Sequence, residues 1–284
     1  MPTEMTQRQR MWSAFMRNRT ALVGGLLALF VVLIAIFAPL ISPFDPLEQD
    51  PYFRLMGSSS KHWLGTDDFG RDVFSRIIWG SRVSLLIGVI SVVLGMVVGT
   101  AMGMMAGYFR GKLESIIMRS VDILMCFPDL ILAIAVTAAL GSNLFNLIIT
   151  IGIVMTPRFA RLAHGSLLSL KESEYVLAAQ AIGVKAPRII VRHIFPNIFG
   201  ELLVAGTLWI GVAIRLEANL AFIGLGIQPP TPTWGNMIRE GVDVLINAPG
   251  ISVYSGLSIL ITILSFNLLG DGIRDMIDPK LRGE

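Results

Sequence analysis

SLKESEYVLAAQAIGVKAPRIIVRHIFPN, residues 169 to 197, is a polar island between two hydrophobic runs, and the rest of the chain is arranged around it. Ser169 followed three residues later by Glu172 predicts a capping-box helix start, after which Tyr175, Ala178, Ala179 and Ile182 recur at helical spacing. Gly183 stands where a helix end needs a left-handed residue. Pro187 sits where the first turn of a following helix tolerates a missing N–H. A second short helix then carries Arg188, Arg192 and His193 up to Pro196. The unit reads as helix, glycine turn, helix. Its small Ala-Ala-Gly surface lets another backbone come close, which suits docking into a groove of another protein. A plain connection between two spans is the other reading.

Composition bounds the class. With 54% hydrophobic residues, 15% charged residues and a mean hydropathy of +0.69, the chain is too apolar for a soluble domain of 284 residues and reads as an all-α polytopic membrane protein. The single cysteine, Cys126, excludes an intrachain disulfide framework. The formal charge of +3 is distributed along the chain and forms no nucleic-acid patch.

Outward from the island the hydrophobic runs give six spans: 21–41, 83–107, about 118–140, 144–163, 201–227 and 251–270. The first is longer than a signal-peptide core of about 7 to 15 residues, so it reads as retained. Gly95 and Gly99 form a GxxxG that suits close helix packing. Asp122 and Asp129, seven apart, predict two carboxylates on nearly one face of a single third helix, with Arg119 a turn from Asp122 as its ion-pair partner. The resulting organisation is an N-terminal arm (1–20), a first helix plus polar segment (21–82), a five-helix core (83–275) carrying the 164–200 loop, and a tail (276–284). Loops on the N-terminal side hold sixteen Lys and Arg against six on the other side, which predicts that both termini and the island are cytoplasmic.

The segment 42–82 ends in HWLGTDDFGRDVFSRIIWGSR, where Asp67, Asp68 and Asp72 alternate with Arg71, Arg76 and Arg82. This reads as a salt-bridged surface with an amphipathic helix from about Asp72 to Ser81. A metal site from His62, Asp67, Asp68 and Asp72 lacks ligand spacing. Charges within spans are costly unless paired, which singles out Asp129, Arg215 and Glu217 as candidates for a polar pathway or gate. No GxxxxGK[ST], HExxH, CxxC or GxSxG occurs, and His62, His164 and His193 fall in different segments. The sequence therefore predicts no enzyme and no cofactor of its own.

Three stretches carry a family resemblance. Ala178, Ala179, Gly183 and Pro196 match the spacing of the EAA coupling loop of ABC-importer permease subunits, with Leu177 where the family has glutamate and Glu174 one turn earlier. HWLGTDDFGRDVFSRIIWGSR resembles the HxLGTDxxGRDxxSRxxxGxRxSL signature of the second permease subunit of dipeptide, oligopeptide and nickel importers. EANLAFIGLGIQPPTPTWG, residues 217 to 235, is similar to that family's EAxLSFLGLGxQPPxPxWG, and Arg215 lies outside the pattern.

The resemblance implies a type I importer fold, with Glu174, Ala178, Ala179, Gly183 and Pro196 as the ATPase-coupling residues. It also implies Asp67, Asp68, Arg71, Asp72 and Trp234 near the binding protein or an external gate. The implied partners are a homologous permease subunit, two cytoplasmic ATPases that hold ATP-Mg, and an extracytoplasmic binding protein. The implied cargo is a peptide or a related solute such as a nickel chelate. The competing class is an ion- or proton-coupled secondary transporter that uses Asp129, Arg215 and Glu217. A membrane scaffold without transport would leave those charges as a cost without a use.

Overall fold

The computed structural model describes residues 18 to 277. The expected arm and tail therefore fall mostly outside the described residues. Those residues are almost wholly helical, with a single isolated bridge between Thr66 and Asp72. Helix α1 (Arg19–Ile41) starts on Asn18, whose side chain accepts the N–H groups of Thr20 at 3.0 Å and Ala21 at 3.2 Å. After the polar segment, α2 (Val73–Phe109) is capped by Asp72, which accepts the Ser75 N–H at 2.8 Å. The expected amphipathic helix at 72–81 is thus the first part of α2 and runs without a break into the second span.

The third span differs from expectation. It is two helices, α3 (Gly111–Met125) and α4 (Asp129–Leu140), bent by 99°. Pro128 immediately before α4 explains the break, because it has no N–H to continue a helix and disfavours helical geometry in the residue before it. Helix α5 (Leu144–Lys171) is capped by Asn143 and runs eight residues beyond its predicted end. The island supplies α6 (Glu174–Ala181) and α7 (Ala186–Ile189), which passes through a π turn (Ile190–Ile194) into α8 (Phe195–Phe222). A short α9 (Trp234–Asp243) and the long α10 (Gly250–Ile277) complete the described residues. Among the described residues, five helical stretches are long and apolar enough to cross a membrane, and the bent pair makes a sixth crossing if counted as one span.

Within a bilayer, apolar burial does not drive helices together, so small residues that allow close approach carry the packing. Helices α2 and α5 form the most extensive pair. A Cβ on Gly99 would come within 2.3 Å of the Thr156 carbonyl oxygen, and one on Gly103 within 2.2 Å of the Ala160 oxygen. No side chain fits at either place, and the GxxxG expectation extends one turn further, to Gly103. The core around this seam holds Ile151, Met155, Phe159, Leu202 and Leu220.

Helix α10 packs on both α1 and α8. Its end meets the start of α1: Asn18 Nδ2 donates to Asp275 Oδ2 at 3.1 Å, and Gly272 has no room for a Cβ beside Ala21. Both ends of the described chain therefore share one face, together with the island. The opposite face carries 42–72 and α9.

Candidate functional site

The island is built by local rules. Helix α5 carries through Ser169 because Leu167 and Leu170 pack into the core, so the predicted capping box is not used. Glu172 instead ends α5, and Ser173 starts α6, its carbonyl accepting the N–H groups of Val176 and Leu177 at 3.0 Å. Gly183 takes φ +78° and closes a Schellman motif: its N–H donates to Gln180 O at 2.9 Å and the Val184 N–H to Ala179 O at 3.0 Å. Pro187 lies in the first turn of α7 as expected. Pro196 does not end a helix. The π turn before it re-routes the ladder, with the Phe195 N–H donating to Ile190 O, and α8 continues for 28 residues.

The two alanines divide. Val176 and Ala179 are buried in the core, whereas Glu174, Leu177, Ala178, Ile182, Gly183 and Pro196 are exposed. Ile182 is 81% exposed and Leu177 50%. The unit is moored by Lys171 Nζ, which donates to Tyr108 O at 2.5 Å, and by Asn197 Nδ2, which donates to His193 O at 2.6 Å and to Tyr175 Oη at 3.4 Å. The result is a fixed turn-helix that presents an apolar surface with one carboxylate beside it, at a place no span covers.

A second polar region lies between the bent pair and α5. Asp129 pairs with Arg158, and Asp122 pairs with Arg161 rather than Arg119, whose Nε donates to Ser115 Oγ at 3.3 Å. The bend thus gives each carboxylate its own arginine on antiparallel α5, instead of aligning both on one helix face. Further along, His164 Nε2 lies 2.8 Å from Glu114 Oε1, and Ser166 Oγ donates to Glu201 Oε2 at 2.6 Å. Asp129, Arg158 and Arg161 line a cavity of 620 Å³ with Leu124, Ala205 and Trp209. Arg215 is exposed on α8. Glu217, two residues on, is fully buried and accepts from Ser84 Oγ at 3.4 Å; the same Ser84 oxygen accepts the Trp234 N–H at 3.3 Å.

The opposite face turns most of its predicted residues inward. Asp67 accepts from Arg71 Nε at 2.6 Å and also from Arg76; Glu240 of α9 accepts from Arg71 at 3.0 Å and from Arg76 at 2.7 Å. Asp72 caps α2 and lies 2.9 Å from His62 Nδ1, and that ring stacks on Phe44 at 4.8 Å. Trp234 is buried and donates its Nε1–H to Ile77 O at 3.0 Å. Asp67, Arg71, Asp72 and Trp234 therefore face the interior and tie this layer together. Of the five, Asp68 alone is solvent-facing, paired with Arg54 at 2.6 Å. Of the four residues weighed as a metal set, His62 and Asp72 hold each other, Asp67 holds Arg71 and Arg76, and Asp68 pairs outward with Arg54.

Sequence reasoning missed Arg76 and Glu240 as one network, because nothing in the chain links positions 164 apart. It also missed Arg158 and Arg161 as the partners of the two aspartates. A signal existed there: two arginines just after Pro157, facing two aspartates across a single turn of the chain.

Comparison with known proteins places this geometry. Residues 99–283 match the family model described as "Binding-protein-dependent transport system inner membrane component", and residues 6–57 match "N-terminal TM domain of oligopeptide transport permease C". The glutathione transport system permease protein GsiD of Pectobacterium atrosepticum is 43% identical over 272 residues, which is 95% of this chain and 90% of that protein. The dipeptide transport system permease protein DppC of Alkalihalophilus pseudofirmus is 42% identical over 266 residues, 94% and 88% of the two chains. Among solved structures, a chain of the inward-facing MetNI methionine ABC transporter aligns with a TM-score of 0.60 at 18% identity. That alignment covers 72% of this chain and 97% of the other, a likeness of fold. With its type I importer fold, the chain belongs to the family of binding-protein-dependent transport system inner membrane components: it is a multi-pass permease subunit of an ABC importer.

Proposed function

We propose that this chain forms half of the membrane pathway of an ATP-driven importer of small peptides. A homologous permease subunit supplies the other half. Two cytoplasmic ATPases, which hold ATP-Mg, dock on α6, and an extracytoplasmic binding protein delivers the cargo. The chain itself hydrolyses nothing. The peptide cargo follows from the glutathione and dipeptide systems of its relatives. The face carrying both chain ends is cytoplasmic on the Lys and Arg distribution, and the island lies on that face.

The observation that carries the coupling role is the exposed apolar surface of Leu177 and Ala178 on α6 and Ile182 at its C-cap, held by a Schellman turn outside the spans. An exposed patch of this kind marks a protein contact. Nucleotide-driven closure of the ATPases would draw two such helices together, and the continuous path from α7 through the π turn into α8 would carry that movement into the membrane.

The test is Gly183→Val in the importer reconstituted in proteoliposomes with its partners. Nothing lies within 4 Å of the added Cβ, so the substitution acts through the positive φ, at roughly 1–2 kcal/mol of backbone strain. The expected outcome is a severalfold rise in ATP hydrolysed per peptide moved, with assembly retained. An unchanged ratio would count against coupling through this turn. The ion-coupled alternative has less support, since Asp129 is paired with Arg158, Glu217 is buried beneath α9 and Arg215 is exposed, three settings that form no common relay.

A further inference from the structure

Between the last third of α2 and the path from α7 through the π turn into α8 runs an apolar groove of 470 Å³. Met104 and Leu202, 6% and 1% exposed, form its floor, and Val97, Met105, Val191 and Phe199 are exposed along its rims. Helix α2 descends toward the island face and α8 rises from it, so the groove has its deep end at Met96 and Leu202 and its mouth at Met105 and Val191. Met96 to Met105 is roughly 14 Å of helix at about 1.5 Å per residue.

Thr100 is the one polar side chain of this lining. Its hydroxyl is buried and has no hydrogen-bond partner among the described residues, whereas Thr156, Thr207 and Thr262 return theirs to the carbonyl four residues back. A buried hydroxyl left unpaired is costly unless a ligand accepts from it. At the mouth the chemistry changes. Lys185, Arg188 and Arg192 are exposed and form no ion pair among the described residues. Arg188 stands one turn before Val191 and Arg192 directly follows it, so the two guanidinium groups flank the residue that lines the mouth.

An apolar trough that opens beside unpaired cations, at the end of the spans, fits an amphiphile with a negative head. Resting on the cytoplasmic placement of the island, we propose that the groove binds one anionic phospholipid of the cytoplasmic leaflet. Arg188 and Arg192 hold its phosphate, and one acyl chain lies along the groove from Met105 to Met96. The planar guanidinium suits phosphate in two-point contact, and the anionic lipids of that leaflet attract basic residues next to the spans. Thr100 lies roughly 7–8 Å deeper than Met105 along α2, a depth suited to donating to an ester carbonyl of a lipid whose phosphate sits at the mouth. A neutral protein helix would cover the floor and leave the cations unmatched, whereas the lipid satisfies both halves of the site.

The experiment uses the whole importer, purified with its partners and equilibrated in mixed micelles holding phosphatidylglycerol and phosphatidylcholine in equal amounts. Retained lipid is counted per complex by native mass spectrometry. Wild type should keep phosphatidylglycerol over phosphatidylcholine by about tenfold or more, and Arg188→Gln with Arg192→Gln should remove most of that preference, since each cation beside the membrane is worth about fivefold. Ala101→Trp, at an exposed position in the lining, should lower retention of both lipids while the cations stay in place. An unchanged preference in the arginine variant, or full retention in Ala101→Trp, would overturn the assignment. So would loss of an ATPase subunit from the arginine variant with lipid unchanged, which would show that these cations meet carboxylates of that protein. A wild type without preference would overturn it too, the result expected if a helix of the other permease fills the groove. Labelling of Ile182→Cys, in a Cys126→Ser background, by an impermeant maleimide from outside the cell would overturn the orientation and with it the leaflet named here, a result distinct from the others.

Discussion

The polar layers on the two faces of this protein are built on opposite plans. On one face Asp67, Arg71, Arg76 and Glu240 are buried or largely buried and pair with one another, with Asp72 and His62 beside them, and the network ties the 42–72 segment to α9. On the other face α6 keeps Val176 and Ala179 inside and turns Leu177, Ala178 and Ile182 outward, with few charge pairs of its own. The charges of the first layer are paired within a single chain, with Arg76 Nε and His62 Nε2 buried and without a hydrogen bond among the described residues. The second leaves Leu177, Ala178 and Ile182 uncovered in this chain. The charges of the first are spent on one another, whereas the second keeps its apolar side chains outward on a short helix set off from the spans.

Breaking the closed layer should have the largest effect. Asp67 accepts from Arg71, Arg76 and the backbone N–H groups of Phe69 and Arg71, so Asp67→Asn removes the charge that balances two buried guanidinium groups and leaves them to share Glu240. Removing one partner of a buried ion network costs about 3–5 kcal/mol, because the remaining charge stays desolvated. Denaturation of the purified chain in mixed micelles would read this directly. A loss under about 1 kcal/mol would mean that water reaches the network, and the contrast between the two faces would collapse.

The open layer should respond in the reverse manner. Ile182→Asp places a charge on the exposed apolar residue that caps the C-terminal end of α6, without disturbing the buried Val176 and Ala179. Stability of the isolated chain should change by under about 0.5 kcal/mol, as for surface substitutions in general. Retention of the ATPase subunits on purification should fall by about tenfold or more, as for the loss of an apolar anchor at an interface. Equal retention in the variant would place the contact elsewhere on the island.

These differences also mark what could be read in advance. The spans were legible because hydropathy depends only on composition over about 20 residues. Gly183 was legible because a left-handed helix end leaves few choices of residue. The break at Pro128 was visible yet lost: the apolar residues around CFPD average out over a span-length window, while the bend depends on one proline. The extension of α5 through Ser169 reversed a sound local rule, since burial of Leu167 and Leu170 outweighs a cap worth about 1 kcal/mol. The Arg76 to Glu240 pairing had no local signal, because it exists only once α2 and α9 meet. The aspartates were noticed, and Arg158 and Arg161 were counted only toward the orientation of the spans, which is the usual limit of reading charges one at a time.

The smallest effect is the sharpest control on the comparison. Asp68 adjoins Asp67 in the chain, and it too pairs with an arginine, Arg54, at 2.6 Å. The chemistry and the segment are the same; what differs is exposure, 59% and 38% for the side chains of Arg54 and Asp68 against 3% and 2% for Arg71 and Asp67. In water the Coulomb gain is screened and is offset by the ordering of a long side chain, so an exposed pair contributes about 0.2–1 kcal/mol. Arg54→Ala should therefore cost no more than that, and the cost should fade in molar salt, while the cost of Asp67→Asn persists. If instead the two substitutions cost the same and fade together, burial is not what distinguishes them, and the closed layer owes its cohesion to the backbone caps and aromatic stacking around His62.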